Sequence, residues 1–221
     1  MMIVAVSLKD KTSITALREM RKAGVDIFEL RVDRFASWNP AYVLKEIAKF
    51  TKWPVLATIR SKNEGGRWRD SEAGRLQLFR AVIPKVKMVD IELSSRSILK
   101  DVVKAAKKHK KQVIISYHDF KSTPPRAKLN RVLREAKAFG ADIVKIAAMA
   151  RSHKDVQTLL DFTKKNAKKK IITIAMGEKG AISRVLFPKL GSLMTYASLG
   201  RSMAPGQLDY RTTLKLLGRW K

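Results

Sequence analysis

One pattern governs this chain. A short apolar, β-branched run is followed by a stretch of helical period, and the pair recurs eight times. The runs fall at 3–7, 27–32, 55–60, 88–93, 113–118, 143–148, 171–176 and 193–198. The helical stretches lie near 12–23, 39–50, 71–83, 97–109, 126–139, 153–168, 180–189 and 208–218. Breakers fall between them: Gly24 and Gly140 follow helices, while Pro40 and Pro125 stand near helix starts. Strands that are almost continuously apolar suit a parallel sheet covered on both faces. Eight such units averaging about 27 residues predict a compact α/β fold, the (β/α)8 TIM barrel. The barrel is expected to span residues 1–221 as a single domain, since no linker or low-complexity segment interrupts the alternation. An open doubly wound sheet is the alternative, but it wants a glycine-rich turn after an early strand. Ser7-Leu8-Lys9-Asp10 stands after the first one.

The net charge is +28, from 47 Lys+Arg against 19 Asp+Glu, which raises the question of nucleic acid. The placement of the lysines argues against a specific nucleic-acid partner. Lys104, Lys107, Lys108, Lys110 and Lys111 close one amphipathic stretch, and Lys164, Lys165, Lys168, Lys169 and Lys170 close another. Each cluster directly precedes an apolar run, where a helix ends and cations complement its dipole. No aromatics are interleaved for base stacking. The chain has no cysteine, so disulfides and thiolate chemistry are excluded. No uncharged apolar run approaches the ~18 residues of a membrane span, and no cleavage site follows the apolar start. A cytoplasmic protein without a membrane partner is the expectation.

A barrel does its chemistry at the C-terminal ends of its strands, so polar residues there are the informative ones. Glu29, Arg31 and Asp33 alternate onto one face of strand 2. Strand 3 ends at Thr58 and Arg60 and leads to Glu64-Gly65-Gly66, and strand 4 carries Asp90 and Glu92. Strand 5 ends Ser116-Tyr117-His118-Asp119-Phe120. Charges inside apolar strands are costly unless paired, and several at similar depth point to one polar site. Lys145, between Ile143-Val144 and Ile146-Ala147, is the sharpest clue. Desolvation there favours a neutral, nucleophilic amine suited to a Schiff base with a carbonyl substrate. An ion pair with Glu92 or Glu29 would make it merely structural. His118 is one of three histidines; His109 and His153 fall where surface residues are expected. Next to a reactive lysine, an imidazole can carry the proton transfers that imine chemistry needs. With an ordinary histidine pKa, activity would fall as pH drops through roughly 6.5. No spacing suggests a metal site. The loops after strands 7 and 8, with Arg184 and Gln207, could bind phosphate, which keeps a Schiff-base phosphosugar aldolase in view.

Taken in order, Glu29-x-Arg31-x-Asp33, Thr58-x-Arg60 with Glu64-Gly65-Gly66, Ser116-Tyr117-His118-Asp119-Phe120, Val144-Lys145-Ile146, Met176-Gly177 through Ser183-Arg184, and Ala204-Pro205-Gly206-Gln207 resemble the type I 3-dehydroquinate dehydratases. That family serves the shikimate pathway of aromatic amino acid biosynthesis. The resemblance implies a cofactor-free hydro-lyase, converting 3-dehydroquinate to 3-dehydroshikimate by syn elimination. By the same resemblance Lys145 forms the imine, His118 is the general acid and base, and Glu64 orients it. Glu29, Arg31 and Arg60 would hold ring hydroxyls, Arg184 and Gln207 the carboxylate, and Met176 and Phe120 would supply apolar walls. Family members are often dimers, so a homodimer is implied. Several members carry a serine just before Ala-Pro-Gly-Gln, where this chain has Met203 beside Ser202. The N-terminal hairpin that caps some relatives is expected to be absent, leaving Met1-Met2 and their neighbours to close the barrel. The 200–207 loop is expected to act as a lid over the substrate carboxylate.

Overall fold

The computed structural model describes residues 2–219; Met1, Trp220 and Lys221 lie outside the described residues. The eight strands are β1 (Ile3–Leu8), β2 (Ile27–Arg31), β3 (Val55–Thr58), β4 (Met88–Glu92), β5 (Gln112–Asp119), β6 (Ile143–Met149), β7 (Ile171–Met176) and β8 (Met194–Ser198). Each is followed by its helix: α1 (Ile14–Ala23), α2 (Pro40–Ala48), α3 (Glu72–Val82), α4 (Arg96–Lys108), α5 (Arg126–Ala138), α6 (His153–Lys165), α7 (Ser183–Lys189) and α8 (Tyr210–Leu216). All pairings are parallel, in the order β7-β6-β5-β4-β3-β2-β1-β8. Sequential order with β1 bonded to β8 is that of a (β/α)8 barrel and excludes the doubly wound alternative. The seam between β7 and β8 is bridged at its lower end, where Leu193 N donates to Ile171 O at 2.8 Å and Thr173 N to Ser192 Oγ at 3.1 Å.

The helices begin and end where local chemistry dictates. Ser13, Asn39, Ser71 and Asp209 cap four of them through their side-chain oxygens, with Pro40 in the first turn of α2. Ser152 and Asp155 form a reciprocal capping box on α6. Gly24 ends α1 at φ 113°, a left-handed conformation that a Cβ would strain. Lys107 and Lys108 occupy the last turn of α4, and Lys164 and Lys165 that of α6, the helix-end placement the sequence suggests.

Period-two alternation splits each strand between two cores. Val4, Val6, Leu30, Val89, Ile115, Val144 and Ile146 face the helices and join the larger cluster. Ala5, Ile27, Leu56, Met88, Ile114, Ile143, Ile172 and Met194 face inward and fill the lower barrel. Those inward side chains close the bottom; Met2 only packs against the outer core. The inward positions one and two steps up the strands include Ser7, Glu29, Arg31, Thr58, Arg60, Asp90, Glu92, Ser116, His118, Lys145 and Tyr196, most of them polar. The barrel is therefore apolar below and polar above, and the pleat alone carries these groups to one end.

Candidate active site

At the C-terminal ends of the strands lies a cavity of about 580 Å³, counting its open mouth. Lys145, His118, Glu64, Glu29, Arg31, Arg60, Arg184, Gln207, Met176 and Phe120 all line it. Sequence positions as far apart as 29 and 207 meet there because each follows its own strand to the same rim.

Lys145 is 5% exposed, and its Nζ donates to Asp90 Oδ2 at 3.0 Å. The amine also sits 4.2 Å from the centre of the Tyr196 ring. The structural alternative of a pair with Glu92 or Glu29 is corrected. Glu92 is taken by Arg60 and Arg75, and Glu29 by the hydroxyls of Ser7 and Thr58. Asp90, two residues before Glu92 on the same inward face, takes the lysine instead. Burial opposes the charge on Asp90. Arg60 and Lys145 more than offset it and hold the carboxyl well below the usual range.

His118 and Glu64 form a buried pair, with Nδ1 2.9 Å from Glu64 Oε2 and the His118 backbone N–H donating to the same oxygen at 3.0 Å. Ser94 donates to the other oxygen. A carboxylate accepting from Nδ1 leaves Nε2 as the free basic nitrogen. The pair depends on two glycines. Gly65 turns the chain at φ 77° against the Phe120 ring, and a Cβ on Gly66 would stand 1.9 Å from Arg60 O. Phe120 in turn stacks on His118, with ring centres 6.2 Å apart. Burial, aided by the charges of Arg60 and Lys145, pushes the His118 pKa well below 6.5. Burial pushes Glu64 up to about 7, against the pull of Arg60 and of the Ser94 hydroxyl. The expectation of an ordinary histidine pKa is thus overturned: the imidazole is desolvated among cations and stays neutral below pH 6.5.

The arginines divide by how they are matched. Arg31 forks onto Asp33 at 2.9 and 2.8 Å. Arg60 binds Asp90 at 2.8 Å, Ser116 Oγ at 2.6 Å and Glu92 at 3.3 Å. Arg184 is only 2% exposed, yet it has no acidic partner. It reaches just two carbonyls, Tyr196 O at 3.5 Å and Pro205 O at 3.2 Å, and its Nε has no partner. Burial lowers its pKa to about 10, with Glu29 pulling weakly the other way. A buried, unmatched guanidinium is a receptor for an anion. Gln207 donates to Ser7 Oγ at 3.3 Å and accepts from Met203 N at 2.8 Å, so it ties down the loop before α8. Met203 lines the cavity, while Ser202 is exposed with its hydroxyl on Ala204 O. Ser202 therefore does not stand in for the family serine. His109 and His153 are exposed, as expected. Among the described residues no cluster of His, Asp and Glu is arranged to hold a metal.

Ser7 and Tyr196 are cavity residues that the sequence did not single out. Both sit in apolar runs with no local mark of function, and only the inward register of β1 and β8 places them. The Tyr196 hydroxyl is buried without a partner, and burial raises its pKa well above 10.

The family model for type I 3-dehydroquinase matches residues 3–219. A 3-dehydroquinate dehydratase of Methanosarcina acetivorans is 42% identical, covering 97% of this chain and 93% of the relative. The crystal structure of the 3-dehydroquinate dehydratase from Aquifex aeolicus superposes with a TM-score of 0.86 at 37% identity, covering 97% of this chain and 96% of that one. A type I enzyme from Clostridium difficile, described with covalently modified comenic acid, gives a TM-score of 0.89 at 31% identity, covering 98% and 90%. Among the described residues no helix is long and apolar enough to cross a membrane.

Proposed function

The chain belongs to the type I 3-dehydroquinase family, and on that footing we propose that it removes water from 3-dehydroquinate to give 3-dehydroshikimate. The observation that carries the reading is one cavity lined by a buried amine, a neutral imidazole and an arginine without an acidic partner. A cyclic ketone bearing a carboxylate satisfies all three.

The carboxylate enters against Arg184, whose free donors suit it, with the Gln207 amide beside it. Glu29 and Arg31, with the Arg60 guanidinium, hold ring hydroxyls, and Met176 and Phe120 exclude water from the ring faces. Lys145 passes one ammonium proton to His118 and attacks the ketone carbon through its freed amine; the carbinolamine hydroxyl takes that proton back from His118 and leaves as water, giving a protonated imine. That cation withdraws electrons, so a proton on the neighbouring carbon becomes acidic enough for imidazole. His118 removes it through Nε2 while Glu64 steadies Nδ1 and the developing imidazolium. The C–H pair becomes the enamine double bond. Its electrons then expel the β-hydroxyl, which takes the proton from His118 and leaves as water. Hydrolysis of the conjugated imine frees the product and regenerates Lys145. The Asp90 carboxylate, held anionic, balances the cationic imine.

A phosphosugar aldolase would use the same lysine, but the family match spans residues 3–219 and names dehydroquinase. Borohydride added with 3-dehydroquinate should leave a stable adduct on the peptide carrying Lys145. Labelling elsewhere, or none, would remove the reading.

A further inference from the structure

Arg75 of α3 is fully buried, lies outside the cavity and has no part in the steps above. Resting on the Schiff-base reading, we infer that Arg75 is a positioning residue whose charge keeps the Lys145 amine reactive at neutral pH. It does so through a chain of alternating charges. Glu72, with its side chain 40% exposed, meets Arg75 Nη2 at 2.8 Å. Arg75 Nη1 meets Glu92 Oε2 at 2.9 Å. The other Glu92 oxygen is 3.3 Å from Arg60 Nη1, Arg60 Nη2 is 2.8 Å from Asp90, and Asp90 is 3.0 Å from Lys145 Nζ. Apart from Glu72, every member is buried, where charges act on one another with little screening.

Arg75 is fixed for this task. Its Nη1 also donates to Ile59 O at 3.2 Å, its Nη2 to Ser95 Oγ, and Ser95 donates to Glu92 Oε2 at 2.9 Å. Without the arginine charge, Glu92 becomes a buried carboxylate matched on one side only. Its excess negative charge draws Arg60 away from Asp90. Glu92 and the released Asp90 then both favour the ammonium form of Lys145 over the nucleophilic amine. The other titratable groups facing Lys145 are His118 from β5, Tyr196 from β8 and Arg60 from beyond β3, with Glu29 from β2 farther round the barrel. His118, Tyr196 and Glu29 make no contact with Arg75 and remain in place when it is changed, so a difference reports its charge together with the response of Arg60.

The test compares wild type with Arg75→Gln, which keeps a hydrogen bond to Glu92 but no charge, and with Arg75→Lys. Acetic anhydride labelling of Lys145, read by peptide mass spectrometry from neutral to alkaline pH, needs no substrate. The kcat/KM profile for 3-dehydroquinate gives the second readout. Arg75→Gln should lower labelling and kcat/KM at neutral pH by about tenfold, with recovery roughly one pH unit higher, and Arg75→Lys should follow wild type. An unchanged profile, a loss equal at all pH values, or the same loss in Arg75→Lys would overturn the inference. Should Arg75→Gln fail to fold, Glu72→Gln at its half-exposed site decides. It should move the profile modestly toward lower pH, and no movement would overturn the inference. Absence of a borohydride adduct in wild type would sink the Schiff-base reading separately, because labelling is measured without dehydroquinate.

Discussion

Replacing Arg184 with methionine should make the protein more stable and its site useless. The fall in the Arg184 pKa from the ordinary arginine value to about 10 corresponds to about 3 kcal/mol against the charged form in the folded state. The sign follows from linkage. The folded value lies below the unfolded one, so the penalty holds in full below about pH 10 and fades as pH rises from there toward the ordinary arginine value. Methionine removes the charge and keeps much of the volume. It also gives up the bonds to Tyr196 O and Pro205 O, at 3.5 and 3.2 Å, both long, which together contribute about 1–2 kcal/mol. The net gain is about 1–2 kcal/mol, or roughly 3–6 °C in Tm for a chain of this size. Binding moves the other way. Losing hydrogen bonds from a cation to a carboxylate costs about 1.5–3 kcal/mol, so affinity for quinate, which has the carboxylate but no ketone, should drop roughly 10- to 150-fold. Thermal melts at neutral pH with and without quinate give both quantities. A variant that melts several degrees below wild type, or binds quinate as tightly, would refute the argument that Arg184 is an unmatched anion receptor.

Lys145→Ala should abolish turnover and borohydride trapping while quinate still binds, checked by calorimetry. His118→Ala should slow imine formation and release as well as elimination, read by single-turnover trapping. In the ligand-free protein the His118 imidazole should remain neutral as pH falls through 6.5, because burial among Arg60 and Lys145 disfavours its cation; an NMR titration placing its midpoint at or above 6.5 would contradict this. Glu64, pushed up to about 7 from 4.5, should destabilise the fold by up to about 3 kcal/mol above pH 7, relieved as pH falls toward 4.5. Glu64→Gln should therefore raise stability at alkaline pH but not at pH near 4. It should also unmask the opposite trend of His118, whose depressed pKa makes stability fall as pH drops below 6.5. Denaturant melts across that range check both.

The barrel was legible because its signal is local and repeated. Apolar runs such as 143–148 and 171–176 could only be buried strands, and caps such as Ser152 with Asp155 or Asn39 with Pro40 act within a turn of themselves. The principal site residues were legible because charges such as Glu29, Arg60 and Lys145 are anomalous inside those runs, and their order matched a family. What a linear pattern cannot carry is who pairs with whom. Glu92 and Glu29 looked like the partners for Lys145, yet Asp90 takes it, because Arg60 and the reach of Arg75 from α3 occupy Glu92 while the hydroxyls of Ser7 and Thr58 occupy Glu29. Ser7 and Tyr196 have no local mark at all; the inward pleat of β1 and β8 puts them at the site. The depressed His118, the raised Glu64 and the unmatched Arg184 follow from burial and from charges tens of residues distant. Sequence thus determined the elements and the chemistry available to them, since propensity and alternation act between near neighbours. Tertiary structure alone decided the ion pairs and protonation states, since desolvation and Coulomb energy depend on distances that only a closed barrel sets.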